Sequence, residues 1–356
     1  MIIQGERVDL RHVIKAKGLD WLKEHVFGTL MESTTDVSAV VRCEDFSLLE
    51  LSEAVNTADF PIITGLLISK KVKEAYNTVA KLGDTLTSNM PSNKMIDRIP
   101  GIRRTSSTKT VKEGMPYEHT AQLGEEYVDI AGSKKGQILD ITEEMVRFDQ
   151  TNMVLRKASG IGEDTAMERE RDILYTIQDV AGYKAWHPNG TQVDLYQTAA
   201  AAPHEYATLI TNVLADHTDL DTAYQAFAAL RNENGMPILV QPKVLLVPSA
   251  LKMTAKTLMA SAVQLGTYNN TPNPVKGDLV VESTPFLDMQ SSLCWYVGDF
   301  KKQFVWKEII PFQVQTRNKD TEAGWNQDIY AQFKVRYMGQ CAALDYVYVI
   351  KSNGTT

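Results

Sequence analysis

The chain has 356 residues, of which 44% are hydrophobic and 23% are charged, a composition typical of a globular protein that buries a core. Its formal net charge of −7 disfavours a free-standing nucleic-acid-binding protein, because such proteins are usually basic. The three cysteines, Cys43, Cys294 and Cys341, are odd in number, far apart and in no CxxC pattern, so we expect a reducing compartment and no disulfide framework. The first residues lack the apolar stretch of a signal peptide, and the longest apolar run, near residues 60–68, is too short to span a bilayer.

The first long predicted element is an amphipathic helix over residues 66–82. Its apolar face contains Leu67, Val72 and Tyr76 at helical spacing. Residues 87–110 follow and are rich in Ser, Thr, Asn and Pro. This composition predicts an extended connector rather than a domain core.

Residues 70–112 hold an excess of positive charge in an otherwise acidic chain. They contain ten Lys and Arg residues and only three acidic ones. One interpretation is a solvated face, and the other is contact with an acidic neighbour or with nucleic acid. The candidates for the second interpretation are Arg98, Arg103, Arg104, Lys109 and Lys112.

A long polar hairpin is predicted over residues 113–141. Strand-like residues 127–130 and 137–141 flank a predicted turn at residues 132–136. A two-stranded hairpin with so little apolar surface is marginally stable alone, so we expect it to lie on a neighbouring copy of the chain. The candidate intersubunit residues are Glu118, Glu125, Glu126, Lys134 and Lys135. For the two lysines, a solvated turn and an intersubunit ion pair both remain open.

A long helix is predicted after the hairpin and runs toward Val180. Thr142 is the expected N-cap, and the acidic residues 143–144 lie in the first turn, where carboxylates interact favourably with the helix dipole. Gly160 and Gly162 each cost roughly 1 kcal/mol in a helix interior. We therefore expect the helix to bend or break at these glycines.

The second half of the chain predicts alternating helices and strands. Helices are predicted over residues 204–215 and 221–233 and from Ser249 onward, and strands over residues 243–247, 279–281, 294–297 and 303–314. The clearest β pattern comes last. Residues 329–337 and 342–350 predict a long pair of strands with one buried face.

The sequence lacks the common signatures of catalysis and of cofactor binding. It has no P-loop, no GxSxG motif and no HExxH motif, and its six histidines do not share metal-ligand spacing. The pair Gly160 and Gly162 lacks the third glycine of a dinucleotide-binding fingerprint. We therefore expect no catalytic residue, no metal site and no cofactor.

The order of these segments resembles the major capsid proteins of tailed bacteriophages with the HK97-like fold, in particular the Mu-like major head subunit group. The strand, proline and helix of residues 243–261, which begin with KVLLVPSAL, carry the resemblance best. The other segments that carry it are residues 58–76, 125–150, 273–287 and 295–309. The resemblance covers most of residues 55–350 and rests on the order of patterns rather than on an invariant motif.

The resemblance implies an α+β fold with five parts. These are an N-terminal arm and lead-in (1–106), an extended β-hairpin loop (107–141), a spine helix with the start of a peripheral domain (142–200), an α/β axial domain (201–315) and a return to the peripheral domain through a long β-strand pair (316–356).

The function implied by the resemblance is structural, not enzymatic. Such a protein self-assembles into hexamers and pentamers of an icosahedral shell that encloses double-stranded DNA. Its implied partners are copies of itself, scaffold and portal proteins, the packaged DNA and, in some shells, a decoration protein, with no membrane. The implied localisation is the virion, with assembly in the cytoplasm of the host bacterium.

Two alternatives remain open at this point. The first is an encapsulin-type nanocompartment shell of the same fold, which would enclose cargo enzyme. The basic stretch 70–112 argues mildly against it. The second is an α/β ligand-binding protein or enzyme that uses residues 205–300, for which a pocket with convergent polar groups would be the distinguishing feature.

Overall fold

The structure is a computed structural model with a mixed α and β architecture. It describes residues 2–3, 6–7, 60–79, 81–101, 110–116, 126–142, 144–145, 153–182, 184–186, 192–198, 207–231, 236–263, 271–318 and 328–354.

The helices and strands are as follows. The helices are α1 (Phe60–Thr78), α2 (Gly83–Leu86), α3 (Met153–Gln178), α4 (His217–Ala229), α5 (Lys252–Ala260), α6 (Pro285–Asp288) and α7 (Phe300–Gln303). The strands are β1 (Ile2–Ile3), β2 (Glu6–Arg7), β3 (Ser88–Pro91), β4 (Ile96–Gly101), β5 (Glu126–Ala131), β6 (Ser133–Thr142), β7 (Lys184–Trp186), β8 (Gln192–Asp194), β9 (Leu209–Ile210), β10 (Val244–Val247), β11 (Val280–Ser283), β12 (Trp295–Gly298), β13 (Phe304–Asn318), β14 (Ile329–Ala343) and β15 (Val349–Ser352).

The chain divides into two compact units. Unit 1 comprises residues 1–80, 134–168 and 310–337, and unit 2 comprises residues 81–133, 169–309 and 338–356. Helix α3 and strands β13 and β14 contribute residues to both units.

Unit 1 has a core between helices and one face of a sheet. The buried side chains come from α1, from the N-terminal half of α3 and from strands β6 and β14. They are Leu67, Ile68, Val72, Ile141, Val154, Leu155, Ala158, Ala331, Phe333 and Val335. The predicted apolar face of the first helix is confirmed, because Leu67, Val72 and Tyr76 are buried.

Gly162 is a close crossing point of α1 and α3, and α3 is continuous through it. A Cβ atom at Gly162 would lie 2.4 Å from the carbonyl oxygen of Val72 and 3.1 Å from the Cβ atom of Ala75. At Gly160, by contrast, nothing lies within 4 Å of such an atom. A break at these glycines is therefore wrong, because the packing that Gly162 permits offsets its low helix propensity, while the expected bend stays a prediction.

Unit 2 contains a five-stranded sheet with the strand order β11-β10-β12-β15-β9. Strand β10 is parallel to β11 and antiparallel to β12. Leu245, Leu246 and Val247 of β10 are fully buried, as a central strand requires. The predicted strand, proline and helix of this region are confirmed, since a 3-10 turn at Ser249–Leu251 leads into α5.

The helix predicted over residues 204–215 is wrong where the structure describes this segment. Leu209 and Ile210 form β9, which pairs with β15 in parallel. The next helix begins at His217, and Asp216 caps it with a capping box that includes Asp219.

Two predictions about strands are also wrong. The connector at residues 87–110 contains β3 and β4, and β3 pairs with β13 in parallel. The sheet that includes β14 has the order β3-β13-β14-β6, so β14 does not pair with the last strand. That last strand, β15, lies between β12 and β9 in the five-stranded sheet. Both runs have the alternation of a strand, but alternation does not specify the partner.

The predicted hairpin lies one strand earlier in the chain. Strand β5 pairs with β4 rather than with β6, and β6 lies at the edge of the four-stranded sheet. Gly132 alone separates β5 from β6, and a Cβ atom there would lie 2.1 Å from Cδ1 of Ile309. The predicted turn at residues 132–136 is therefore a change from one sheet to another at a crowded glycine.

Candidate subunit-contact site

The hairpin formed by β4 and β5 is the candidate site. Its antiparallel ladder runs from the pair Ile96 and Ala131 to the pair Gly101 and Glu126. Residues 102–125 connect the two arms, and of these the structure describes residues 110–116. Arg103, Arg104, Lys109, Glu118 and Glu125 belong to this connection and lie outside the described residues.

The inner face of the hairpin packs on the body of unit 2. Val128 and Ile130 of β5 are buried against Val305 of β13 and Ala342 of β14. Ile99 of β4 adds a partly buried contact. Because side chains alternate along a strand, the residues between these positions point to the other face.

A fully buried lysine, Lys307, holds both arms at the base of the hairpin. It donates hydrogen bonds to the main-chain carbonyl oxygens of Met95 (3.2 Å) and Ile130 (3.0 Å), and its Nζ lies 3.0 Å from Oδ2 of Asp97. An ammonium group has three N–H donors, so these three oxygens satisfy it completely. We call this arrangement the Lys307 anchor.

Asp97 completes the Lys307 anchor. Its carboxylate accepts hydrogen bonds from the hydroxyl of Ser92 and from Lys307, and these bonds hold the pKa of Asp97 below its usual range. The Ser92 hydroxyl also accepts a hydrogen bond from the main-chain N–H of Lys94. The anchor therefore contains a carboxylate that stays ionised opposite the buried ammonium.

The outward face of the hairpin is electrically neutral at its centre. Arg98 makes two hydrogen bonds to the carboxylate of Asp129, one from Nε at 2.8 Å and one from Nη2 at 2.9 Å. The same guanidinium lies 3.9 Å from the ring centre of Tyr127. Hydrogen bonding to Arg98 lowers the pKa of Asp129 below its usual range, so the pair stays charged at neutral pH.

Two large apolar side chains are exposed where this face begins. Met95 is 61% exposed and Ile96 is 59% exposed. The nearby guanidinium of Arg98 already uses Nε and Nη2 to bind Asp129, so it is poorly placed to bind a phosphate with the same two donors. The combination of apolar side chains with an internally paired charge is typical of the centre of a protein–protein contact.

The lysines predicted at the turn have different environments. Lys135 forms an ion pair with Glu168 of α3 at 2.8 Å, within unit 1. Lys134 is exposed on β6, and Lys112 is exposed in the connection of the hairpin. Glu126 begins β5. The Lys307 anchor was missed at the sequence level, although a lysine inside the apolar run FVWKEII is a visible signal of a buried charge.

Helix α3 begins a second set of polar contacts where it enters unit 2. Arg169 pairs with Asp84 at 2.7 Å, and the carboxylate of Glu170 accepts a hydrogen bond from the main-chain N–H of Gly83 at 2.7 Å. Burial raises the pKa of Glu170 to about 7, although that hydrogen bond opposes the shift. The hydroxyl of Thr142 accepts a hydrogen bond from the main-chain N–H of Met145, as an N-cap does, but α3 begins at Met153, and residues 146–152 lie outside the described residues.

Among the residues that the structure describes, no group of His, Cys, Asp and Glu side chains is arranged to hold a metal ion. Within the same part of the chain, no helix is both long enough and apolar enough to cross a membrane.

Comparison with known proteins identifies the family. A family model for phage capsid proteins matches residues 125–352, which is more than half of the chain. The chain belongs to the phage capsid protein family. Capsid proteins of this family are structural, so the protein is a shell-forming subunit of the virion and not an enzyme.

Solved capsids show the same fold. The capsid protein of Cyanophage P-SCSP1u is 13% identical, and the match covers 77% of this chain and 88% of that one with a TM-score of 0.53. The capsid of a native GTA particle is 10% identical, with coverage of 78% and 92% and a TM-score of 0.52. No curated protein matches this capsid protein. The α+β fold expected from the resemblance is confirmed.

Proposed function

We propose that this capsid protein forms the hexamers and pentamers of an icosahedral shell around double-stranded DNA, and that the outward face of the β4–β5 hairpin contacts a neighbouring subunit. The single observation that carries the contact is the neutral, partly apolar hairpin face with Met95, Ile96 and the Arg98–Asp129 pair. Assembly would take place in the host cytoplasm, with scaffold and portal proteins and, in some shells, a decoration protein.

The parts of the subunit take the following roles in this proposal. Helix α3 is the spine helix, and the sheet of unit 1 with α1 forms a peripheral domain. The five-stranded sheet with α4 and α5 forms the axial domain, around the axis of each capsomer. Glu118, Glu125 and Glu126 contribute to the subunit contact, and the cations Arg103, Arg104, Lys109 and Lys112 lie in the same connection of the hairpin. Family membership favours this assignment over an encapsulin-type shell.

The hairpin is suited to an intersubunit role because its base is fixed and because Met95, Ile96 and Arg98 are exposed on its outward side. The Lys307 anchor and the apolar contacts of Val128 and Ile130 hold the base. A fixed base limits the conformational entropy that is lost when the hairpin binds a neighbour. The contact is therefore presented before assembly rather than created by it.

Charge exchange within the Arg98–Asp129 pair tests the contact. The substitution Arg98→Asp places two negative charges on the hairpin face, and Asp129→Arg places two positive charges there. Both single variants should fail to form shells, because unpaired like charges are buried at the contact. The double exchange Arg98→Asp with Asp129→Arg restores a neutral pair, so it should assemble, with shells measured by electron microscopy and sedimentation.

The same series distinguishes a subunit contact from a DNA contact at Arg98. A surface that binds phosphates would gain DNA from Asp129→Arg and lose DNA from Arg98→Asp, with particle yield unchanged. Normal shells from both single variants would refute the proposed contact. Thermal unfolding of the unassembled variants is the control for loss of the fold.

A further inference from the structure

The sheet of unit 1 has a second face, opposite the face that packs against α1 and α3. Phe333 and Val335 of β14 and Ile141 of β6 point into the core beneath α1 and α3. The alternate residues of the same strands point the other way, which two contacts confirm. The side chain of Gln332 donates to Asp140 at 2.8 Å, and Arg336 donates to Gln313 at 3.3 Å. We call this side the open sheet face.

The open sheet face is positively charged, although the chain as a whole carries −7. Three adjacent strands, β6, β14 and β13, place four cations and one anion on it: Lys134, Lys334, Arg336, Arg317 and Asp140. Among the described residues, no ion pair joins these four cations to a carboxylate. The Nε of Arg336 is buried and lacks a hydrogen-bond acceptor in the described structure. A buried guanidinium N–H without an acceptor favours an anionic occupant of this face.

The chemistry of the face indicates the kind of occupant. Among the described residues of this face, the large exposed apolar side chain is Ile138, which is 59% exposed. The centres of ordinary protein interfaces are apolar and contain few lysines, so a flat, apolar surface of another protein fits poorly. An acidic, flexible or extended segment with a few apolar side chains fits better.

This chain contains such a segment at residues 28–59. The segment has seven acidic residues and a single basic one, Arg42. The acidic residues are Glu32, Asp36, Glu44, Asp45, Glu50, Glu53 and Asp59. It leads directly into Phe60, the first residue of α1, and α1 packs on the opposite side of the same sheet. Fully extended, 32 residues reach about 100 Å, which is enough for the face of the same subunit or of its neighbour.

We propose that the acidic segment 28–59 docks on the open sheet face through Lys134, Lys334, Arg317 and Arg336. The pairing of the segment with the face does not depend on the proposed function. Only the origin of the segment, from the same subunit or from a neighbour, rests on it. The segment neutralises the face, and it withholds the face from other polyanions such as duplex DNA. Its carboxylates supply acceptors for the half-buried arginine, and its apolar residues cover Ile138.

Carbodiimide cross-linking of the full-length protein tests the pairing, because it joins lysine amines to carboxylates that are in contact. Peptide mass spectrometry should find cross-links from residues 28–59 to Lys134 and Lys334. Lys252 and Lys256, which are exposed on α5, are the matched controls and should not be joined. Shells assembled from mixed 14N and 15N subunits show whether a cross-link joins one subunit or two.

Charge reversal at the arginines leaves both reporter lysines in place. Arg317→Glu with Arg336→Glu should lower the cross-link yield about tenfold, as expected for a loss of roughly 1.4 kcal/mol in binding. A docked segment is also protected from proteolysis, and the double arginine variant should lose this protection. Adding Glu44→Lys and Asp45→Lys to that variant should restore it. If the double variant does not fold, Arg317→Glu alone replaces it. This single variant should also lower the cross-link yield, but by a smaller factor.

Several results would overturn the pairing. One is equal cross-linking to Lys252 and Lys256, and another is a yield that does not change in the arginine variants. A third is that added duplex DNA protects Lys134 and Lys334 from acetylation while no cross-link to residues 28–59 forms, which would assign the face to DNA. Cross-links within single subunits that never form shells would support the pairing and contradict the proposed shell instead.

Discussion

Gly162 and Gly160 lie two residues apart in one helix and should respond to the same substitution in opposite ways. Replacing a helical glycine by alanine stabilises a protein by about 0.5–1 kcal/mol, because the unfolded chain loses conformational freedom. At Gly160 nothing lies within 4 Å of the added methyl group, so Gly160→Ala should show this full gain. At Gly162 the methyl group would lie 2.4 Å from the carbonyl oxygen of Val72, which belongs to the backbone of α1.

The difference between the two variants isolates the packing cost. Both variants contain the same helix-propensity gain, so subtracting one from the other removes it. Forcing an extra methyl group into a packed contact costs about 1–3 kcal/mol, and the crowding atom here is part of a helix backbone that moves only as a whole. We therefore expect Gly162→Ala to be less stable than Gly160→Ala by about 1–3 kcal/mol.

Urea unfolding of the unassembled subunit measures this difference from the midpoints at a common slope. Far-UV circular dichroism is a suitable signal, because it follows the loss of helices such as α1 and α3. Equal midpoints for the two variants would refute the close crossing of α1 and α3. A loss of stability in Gly160→Ala would refute the assignment of that position to an open helix surface.

Two other substitutions test the buried charges. Glu170→Gln should remove a pH dependence of the free energy of unfolding, because burial raises the pKa of Glu170 to about 7. As the pH rises from about 4.5 to about 7, the wild type should lose stability relative to the variant, by up to about 1.4 kcal/mol per pH unit. Thermal unfolding across that range measures it, and a pH-independent difference would contradict it. Lys307→Met should lower the free energy of unfolding by roughly 3 kcal/mol, because it leaves buried oxygens without a donor. Adding Asp97→Leu should recover part of the loss, and purely additive effects of the two substitutions in urea unfolding would show that the anchor is not a coupled pair.

The sequence predicted the elements better than their partners. The alternation in residues 329–337 identifies a strand because the period of two is local. The partners of that strand, β13 and β6, are set only once the whole sheet has formed, and residues 342–350 have a similar pattern without being its neighbour. In the same way residues 127–130 are a strand, but their partner is β4, in a segment whose Ser, Thr, Asn and Pro content indicated an extended connector.

The candidate site depended on pairings that a single sequence does not contain. Arg98 looked like a cation of a basic stretch, and its neutralisation by Asp129 requires the register of β4 against β5. The low helix propensity of Gly162 can be predicted from the sequence alone. The close packing that this glycine permits depends on Val72, which lies on another helix. The family, in contrast, was accessible from the sequence, because the order of KVLLVPSAL and its neighbouring segments can be read from one chain.

The Lys307 anchor also constrains when the hairpin becomes fixed during synthesis. Its hydrogen bonds join residues that are 212 and 177 positions apart in the chain. A ribosome makes the arms of the hairpin early and Lys307 late, and domains form as their residues emerge. The base of the hairpin is therefore completed only when most of the subunit has been made. A nascent chain that lacks Lys307 cannot hold its hairpin in the final position, so incomplete subunits are poor partners for finished ones.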